Sequence, residues 1–117
     1  MDFYIKQNTD LPILKMEFVN DGRTDSYEKL NEEIINAQIR FSMYDPTTNE
    51  RLIFMENAFL TDKIKNEPES DNQYYIVYKW SERDTRKKGR FLGEFSIVTE
   101  SGELIAPIRE NLYINVI

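Results

Sequence analysis

Cysteine and histidine are both absent from this chain of 117 residues. Without cysteine there is no disulfide framework, no thiolate metal site and no thiol nucleophile. That fits a reducing compartment, or any robust particle built without disulfides. Without histidine the commonest general base, the commonest metal ligand and the usual near-neutral pH switch are missing, and Ser-His-Asp and Cys-His chemistry are excluded. Glycine and proline number four each, and because the glycines are isolated there is no Gly-rich phosphate loop. No apolar run approaches the roughly 18 residues of a membrane span. The start, Met1-Asp2-Phe3-Tyr4, has neither the basic n-region nor the apolar h-region of a signal peptide. The expectation is a soluble protein made in the cytoplasm, not an enzyme, with no cofactor, no metal and no membrane contact.

What the chain does have is acid and aromatic residues. Asp and Glu outnumber Lys and Arg by 21 to 15, giving a net charge of −6. Self-repulsion of that size favours solubility and works against non-specific nucleic-acid binding, so no nucleic-acid partner is expected. Seven Phe, seven Tyr and one Trp favour strands. The length is that of one domain, 1–117, and such a domain buries roughly two-thirds of the surface its unfolded chain exposes.

Period-two alternation marks the strands. It runs through Leu14, Met16 and Phe18, and most cleanly through Ala37, Ile39, Phe41 and Met43, after a short strand Phe3–Gln7 ended by Asn8-Thr9-Asp10 and Pro12. Arg51–Glu56 and Ala58–Ile64 fit two more. Gln73–Trp80 places Ile76, Tyr78 and Trp80 on one face, Phe91–Val98 places Phe91, Phe95 and Ile97 on one face, and Leu112, Ile114 and Val116 form a final strand. Asn20-Asp21-Gly22, Asp45–Asn49 and Glu100–Glu103 are turn signals. Around residues 25–35 the sequence fits either a short helix, with Asp25 and Glu28 as a capping box, or a polar connection. Short strands with turns at this spacing predict an antiparallel β-sandwich of about 7–9 strands.

One segment stands out: Tyr78-Lys79-Trp80-Ser81-Glu82-Arg83-Asp84-Thr85, closed by Gly89 and followed by Phe91 and Glu94-Phe95. Trp80 is the largest apolar side chain available to cover the mouth of a core. Asp84 and Thr85 are suited to hydrogen-bond the backbone locally, as an Asx-turn does, and Gly89 admits positive φ. Arg83, Arg86, Lys87, Lys88 and Arg90 could meet phosphates. With no second basic element and no interleaved stacking aromatics they read instead as a solvated corner. Glu67, Glu69, Asp71 and Asp62 lack the glycine and spacing of a calcium loop. Glu28, Glu32 and Glu33 read as acids on a solvated connection and not as a catalytic pair.

The aromatics exceed one small core. If Phe18, Phe41, Tyr78, Trp80, Phe91 and Phe95 fill it, then Phe3, Tyr4, Tyr44, Phe59, Tyr74 and Tyr75, with Tyr27 and Phe54, pack at edges or form a protein–protein interface. Both readings stand on the sequence. The first six of these are the candidate interface.

The order of motifs resembles the N-terminal domain of baseplate upper proteins from siphophages of Gram-positive hosts. The resemblance rests on Phe3-x-Ile5-Lys6-Gln7-Asn8-x-Asp10-Leu11-Pro12, on Ala37-x-Ile39-Arg40-Phe41-Ser42-Met43, and above all on Tyr78-x-Trp80-x-x-x-Asp84-Thr85-x-x-x-Gly89-x-Phe91-x-x-Glu94-Phe95. Two places depart from it. Asn8-Thr9-Asp10 replaces a compact Gly-Asp, and Glu32-Glu33-Ile34-Ile35-Asn36 stands where the family has a D-L-T-G turn. The resemblance implies an immunoglobulin-like sandwich that serves as a structural subunit of a tailed-phage virion. It would be a tail or baseplate adaptor or decoration protein, in several copies, docked on other phage structural proteins. A head or neck decoration or fibre-anchoring role, and a small carbohydrate-binding sandwich, are the alternatives.

Overall fold

Alternating apolar and polar side chains build two sheets whose apolar faces meet. The computed structural model describes residues 1–17, 36–62, 74–108 and 110–117. Nine strands lie among them: β1 (Asp2–Ile5), β2 (Leu14–Glu17), β3 (Gln38–Tyr44), β4 (Arg51–Asn57), β5 (Phe59–Asp62), β6 (Tyr74–Tyr78), β7 (Gly89–Thr99), β8 (Gly102–Ala106) and β9 (Leu112–Val116). A single 3-10 turn, Glu82–Thr85, stands between β6 and β7. The larger sheet runs β1-β9-β7-β3-β4, with β8 also on β7; the smaller runs β2-β6-β5. This is the expected all-β, immunoglobulin-like sandwich. The segment 25–35, Phe18 and Tyr27 fall outside the described residues.

β7 organises the larger sheet. Its eleven residues pair with β3 on one side, and on the other with β9 along Gly89–Gly93 and then β8 along Phe95–Thr99. Phe91, Phe95 and Ile97 point into the core, as their alternation predicts. Gly93 lies between them because Phe41 fills its place. A Cβ there would sit 3.0 Å from two Phe41 ring carbons and 3.3 Å from an Ile114 carbon.

The centre of the core is aromatic. Phe41 is fully buried, with ring centroids 4.6 Å from Tyr78, 4.9 Å from Phe95 and 5.7 Å from Trp80. Tyr78 and Trp80 meet edge-on at 5.2 Å. Such tilted and edge-to-face pairs add about 0.5–1.5 kcal/mol beyond the area buried. The Trp80 Nε1–H is buried and has no acceptor among the described residues.

β4 breaks its own alternation. Its register on β3 slips twice, between the Phe41 and Met43 pairs and again between Met43 and Tyr44. Consecutive residues Leu52 and Ile53 are therefore both buried. Met55 has φ of 51°, a conformation rare for a non-glycine residue. The bulge is held from β3: the Ser42 hydroxyl accepts the Met55 N–H at 3.0 Å, and the Arg40 guanidinium donates to the Met55 carbonyl at 3.3 Å. Past it the chain crosses to the smaller sheet, where β5 pairs with β6.

β1 lies parallel to β9, with Asp2 to Ile5 opposite Tyr113 to Val116. β9 is thus enclosed between β1 and β7, and among the described strands β1 is the edge on that side. β9 is therefore paired on both sides.

Candidate functional site

The Tyr78–Gly89 segment forms a corner in which Asp84 and Thr85 bond the backbone locally, three residues back instead of two residues on, and also reach beyond the corner. Asp84 turns back. Its Oδ2 accepts the Tyr78 hydroxyl at 2.7 Å and the Ser81 N–H at 2.9 Å. Burial, then the hydrogen bond to Asp84 and its charge, push the Tyr78 phenol far above its ordinary value. Tyr78 is therefore a permanent donor at neutral pH and not a base. Thr85, with no solvent exposure, reaches across the chain. Its hydroxyl donates to the Thr9 carbonyl at 2.8 Å and accepts the Thr9 N–H at 3.0 Å, while the Asn8 N–H bonds the Thr85 carbonyl. The Asp-Thr pair thus ties the corner to β6 on one side and to residues 8–9 on the other. Gly89 has φ of +148°, which supplies the positive φ expected of it.

Beside the corner lies an open cleft of about 630 Å³, lined by β4, the end of β6 and the 3-10 turn. Leu52, Ile53 and Tyr78 contribute its apolar part, Glu56 and Asp84 two carboxylates, and Arg51, Lys79, Arg83 and Arg86 four cations. The sequence showed no second basic element beside residues 83–90. The fold brings one further cation, Arg51 of β4, alongside Arg83 and Arg86, and the run itself is exposed as a solvated corner would be. No spacing signal could reveal this, because Arg51 stands alone in its strand.

The run itself is sorted by the fold. Lys87 pairs with Glu50 at 2.9 Å, and that carboxylate holds its ammonium above the ordinary value. Arg90 pairs with Asp2 at 3.2 Å and lies 3.7 Å from the centre of the Tyr113 ring. The Asp2 carboxyl is held below its ordinary value by the Asn115 amide first, and by Arg90. The cleft cations are exposed and, among the described residues, form no ion pair.

The candidate interface aromatics are dispersed. Phe3 turns inward and stacks on Trp80 at 5.7 Å, so it belongs with the core instead of an exposed surface. Tyr4 is 59% exposed and Tyr44 half-buried. Phe59 lies at the surface under Lys79, and Tyr75, half-buried, under Lys15. Tyr74 lies in β6; its side chain is outside the described set. Phe54, 61% exposed, lies under Arg51 at the cleft. With Tyr113, four rings outside the core thus carry a cation on one face, an arrangement worth about 0.5–1 kcal/mol at exposed sites.

Chemically, arginine forks around a concave site suit carboxylate or phosphate oxygens. Among the described residues no group of three Asp or Glu is placed to hold a metal, and no helix is long and apolar enough to cross a membrane.

No protein-family model matches the chain, and no solved structure matches it. Over 98 residues, 84% of its length, it is similar to the mast/stem cell growth factor receptor Kit of Canis lupus familiaris, at 28% identity. The matched stretch spans 9% of that protein.

Proposed function

We propose that this chain is a structural subunit of a tailed-phage virion, a tail or baseplate adaptor or decoration protein, present in several copies and acting by docking on other structural proteins of the particle. The observation that carries this reading is the corner. Tyr78, Trp80, Asp84, Thr85 and Gly89, the residues that bear the resemblance to baseplate upper proteins, each have a distinct structural part in it. Docking is supported by the cleft, whose four cations have no ion pair among the described residues, and by exposed Tyr4 and Phe54. Similarity to a portion of a growth factor receptor is compatible with the coarser statement, a sandwich that binds protein. A head, neck or fibre-anchoring position uses the same surfaces. For sugar stacking, Phe54, Phe59, Tyr75 and Tyr113 each have a cation over one face, while exposed Tyr4 has none among the described residues.

The test is quantitative mass spectrometry of purified particles of the phage encoding the chain. The protein is expected at a copy number matching the symmetry of its location, and its absence from the particle overturns the reading.

A further inference from the structure

The four cations of the cleft pose a question of charge balance. In an acidic chain, Lys87 and Arg90 find carboxylates, yet Arg51, Lys79, Arg83 and Arg86 converge on one concavity without pairing to any among the described residues. Two of them are steadied by rings, Arg51 over Phe54 at 4.8 Å and Lys79 over Phe59 at 5.2 Å. A ring contact occupies a cation's face and leaves its N–H donors for an acceptor. The volume, about 630 Å³, is in the range of ligand sites and holds several side chains. Glu56 and Asp84 line the same cleft, and the whole chain carries −6. A dense polyanion is repelled by that surround. A short segment with spaced carboxylates brings less charge density to it than a polyanion does.

The sequence contains such a segment. The connection from β5 to β6 carries Lys63 and Lys65 at its start and then Glu67, Glu69 and Asp71 at alternate positions, between Asn66 and Asn72. It leaves at Asp62 and returns at Tyr74, which pair with each other. The cleft lies at the other end of the same strands, beside Tyr78. The two ends of β6 are about 13 Å apart along the strand, with the connection that carries the acidic Glu67–Asp71 stretch joined at one and the cationic cleft at the other. Copies arranged end to end bring unlike charges together, and a head-to-tail contact of this kind repeats into a ring or a filament.

We infer that the cleft formed by Arg51, Lys79, Arg83 and Arg86 receives the Glu67–Asp71 stretch of a second copy of this chain. The inference names a partner for the docking site and rests on the multi-copy reading above.

Sedimentation equilibrium of the purified protein at low and high salt tests it. Self-association is expected at low salt and is lost at high salt. The charge reversals Arg83→Glu with Arg86→Glu, and separately Glu67→Lys with Glu69→Lys and Asp71→Lys, are each expected to weaken it about tenfold or more. Mixed together, the two variants associate again, because the reversed segment of one meets the reversed cleft of the other. Circular dichroism confirms that both remain folded. A peptide of residues 66–73, labelled for fluorescence anisotropy, is expected to bind the wild type and not the Arg83→Glu, Arg86→Glu protein. A wild type that stays monomeric at every salt and concentration, association indifferent to the reversals, or a mixture that fails to recover overturns the inference. Because this assay uses the protein alone, its failure is separate from absence of the protein from the particle.

Discussion

Replacing Thr85 by valine removes one hydroxyl and keeps the volume of a side chain that has no solvent exposure. No cavity opens, so the cost is that of the hydroxyl's hydrogen bonds. Two of them reach Thr9, one donated to its carbonyl at 2.8 Å and one accepted from its N–H at 3.0 Å. Each is worth about 0.5–1.5 kcal/mol net, with a further penalty where the stranded group stays away from water. Thr9 is half-buried, so water recovers some of that penalty, and the expected loss is about 2–3 kcal/mol. For 117 residues the unfolding entropy is roughly 0.25 kcal/mol/K, so Tm falls by about 8–12 °C. Urea denaturation with an unchanged m-value, alongside calorimetry, measures the loss. Thr85→Ser keeps the hydroxyl and is expected to lose less. Hydrogen exchange supplies the local readout, since the Thr9 amide exchanges faster in Thr85→Val. A loss below about 0.5 kcal/mol, the range of neutral surface changes, or an unaltered Thr9 amide, refutes the assignment of Thr85 as the tie between the corner and residues 8–9.

Three further outcomes follow from the core and the bulge. Because its folded-state pKa is raised, Tyr78 contributes stability that is fully present below the ordinary phenol value of 10.0 and is lost as pH rises above it. Stability curves of wild type and Tyr78→Phe should therefore converge in alkali, and parallel curves above pH 10.0 would contradict the burial of the phenol and its bond to Asp84. Gly93→Ala places a methyl against the Phe41 ring, itself fixed by Tyr78, Trp80 and Phe95, and should cost about 1–3 kcal/mol in chemical denaturation. Ser42→Ala strips the acceptor from the Met55 N–H and should lower stability by about 1–2 kcal/mol, with faster exchange of that amide.

Where side chains alternate without interruption, the fold is legible in the sequence. Leu14 and Met16, Ile39 to Met43, Phe91 to Ile97, and Leu112 to Val116 all point inward at period two. Period two reports only a strand's own two faces, and this limits what sequence reveals. It fails at β4, where the bulges bury Leu52 beside Ile53. It is too short to mark β8, which begins inside the Glu100–Glu103 turn signal. It carries nothing about partners distant in sequence. Thr85 and Thr9 are 76 residues apart, and the local bonds of Asp84 and Thr85 to the backbone are joined by contacts across the fold. The cleft is of the same kind: the basic run is visible in the sequence, its further wall on β4 is not. Aromatic composition in excess of one core leaves Phe3 either at an edge or in an interface, and the Trp80 face decides for a partly buried place against the core.

The parallel pairing of β1 with β9 has a mechanical consequence. Traction applied to Met1 and Ile117 in opposite directions slides the two strands along each other. The Tyr113 N–H to Met1 carbonyl bond, the Ile117 N–H to Ile5 carbonyl bond and the Gln7 N–H to Ile117 carbonyl bond then share the force at once. In an antiparallel pair pulled from the same ends they would break in succession, like a zipper. Tension along the chain meets a shear clamp at the first strand it reaches, and the aromatic core behind that clamp stays unloaded until it slips.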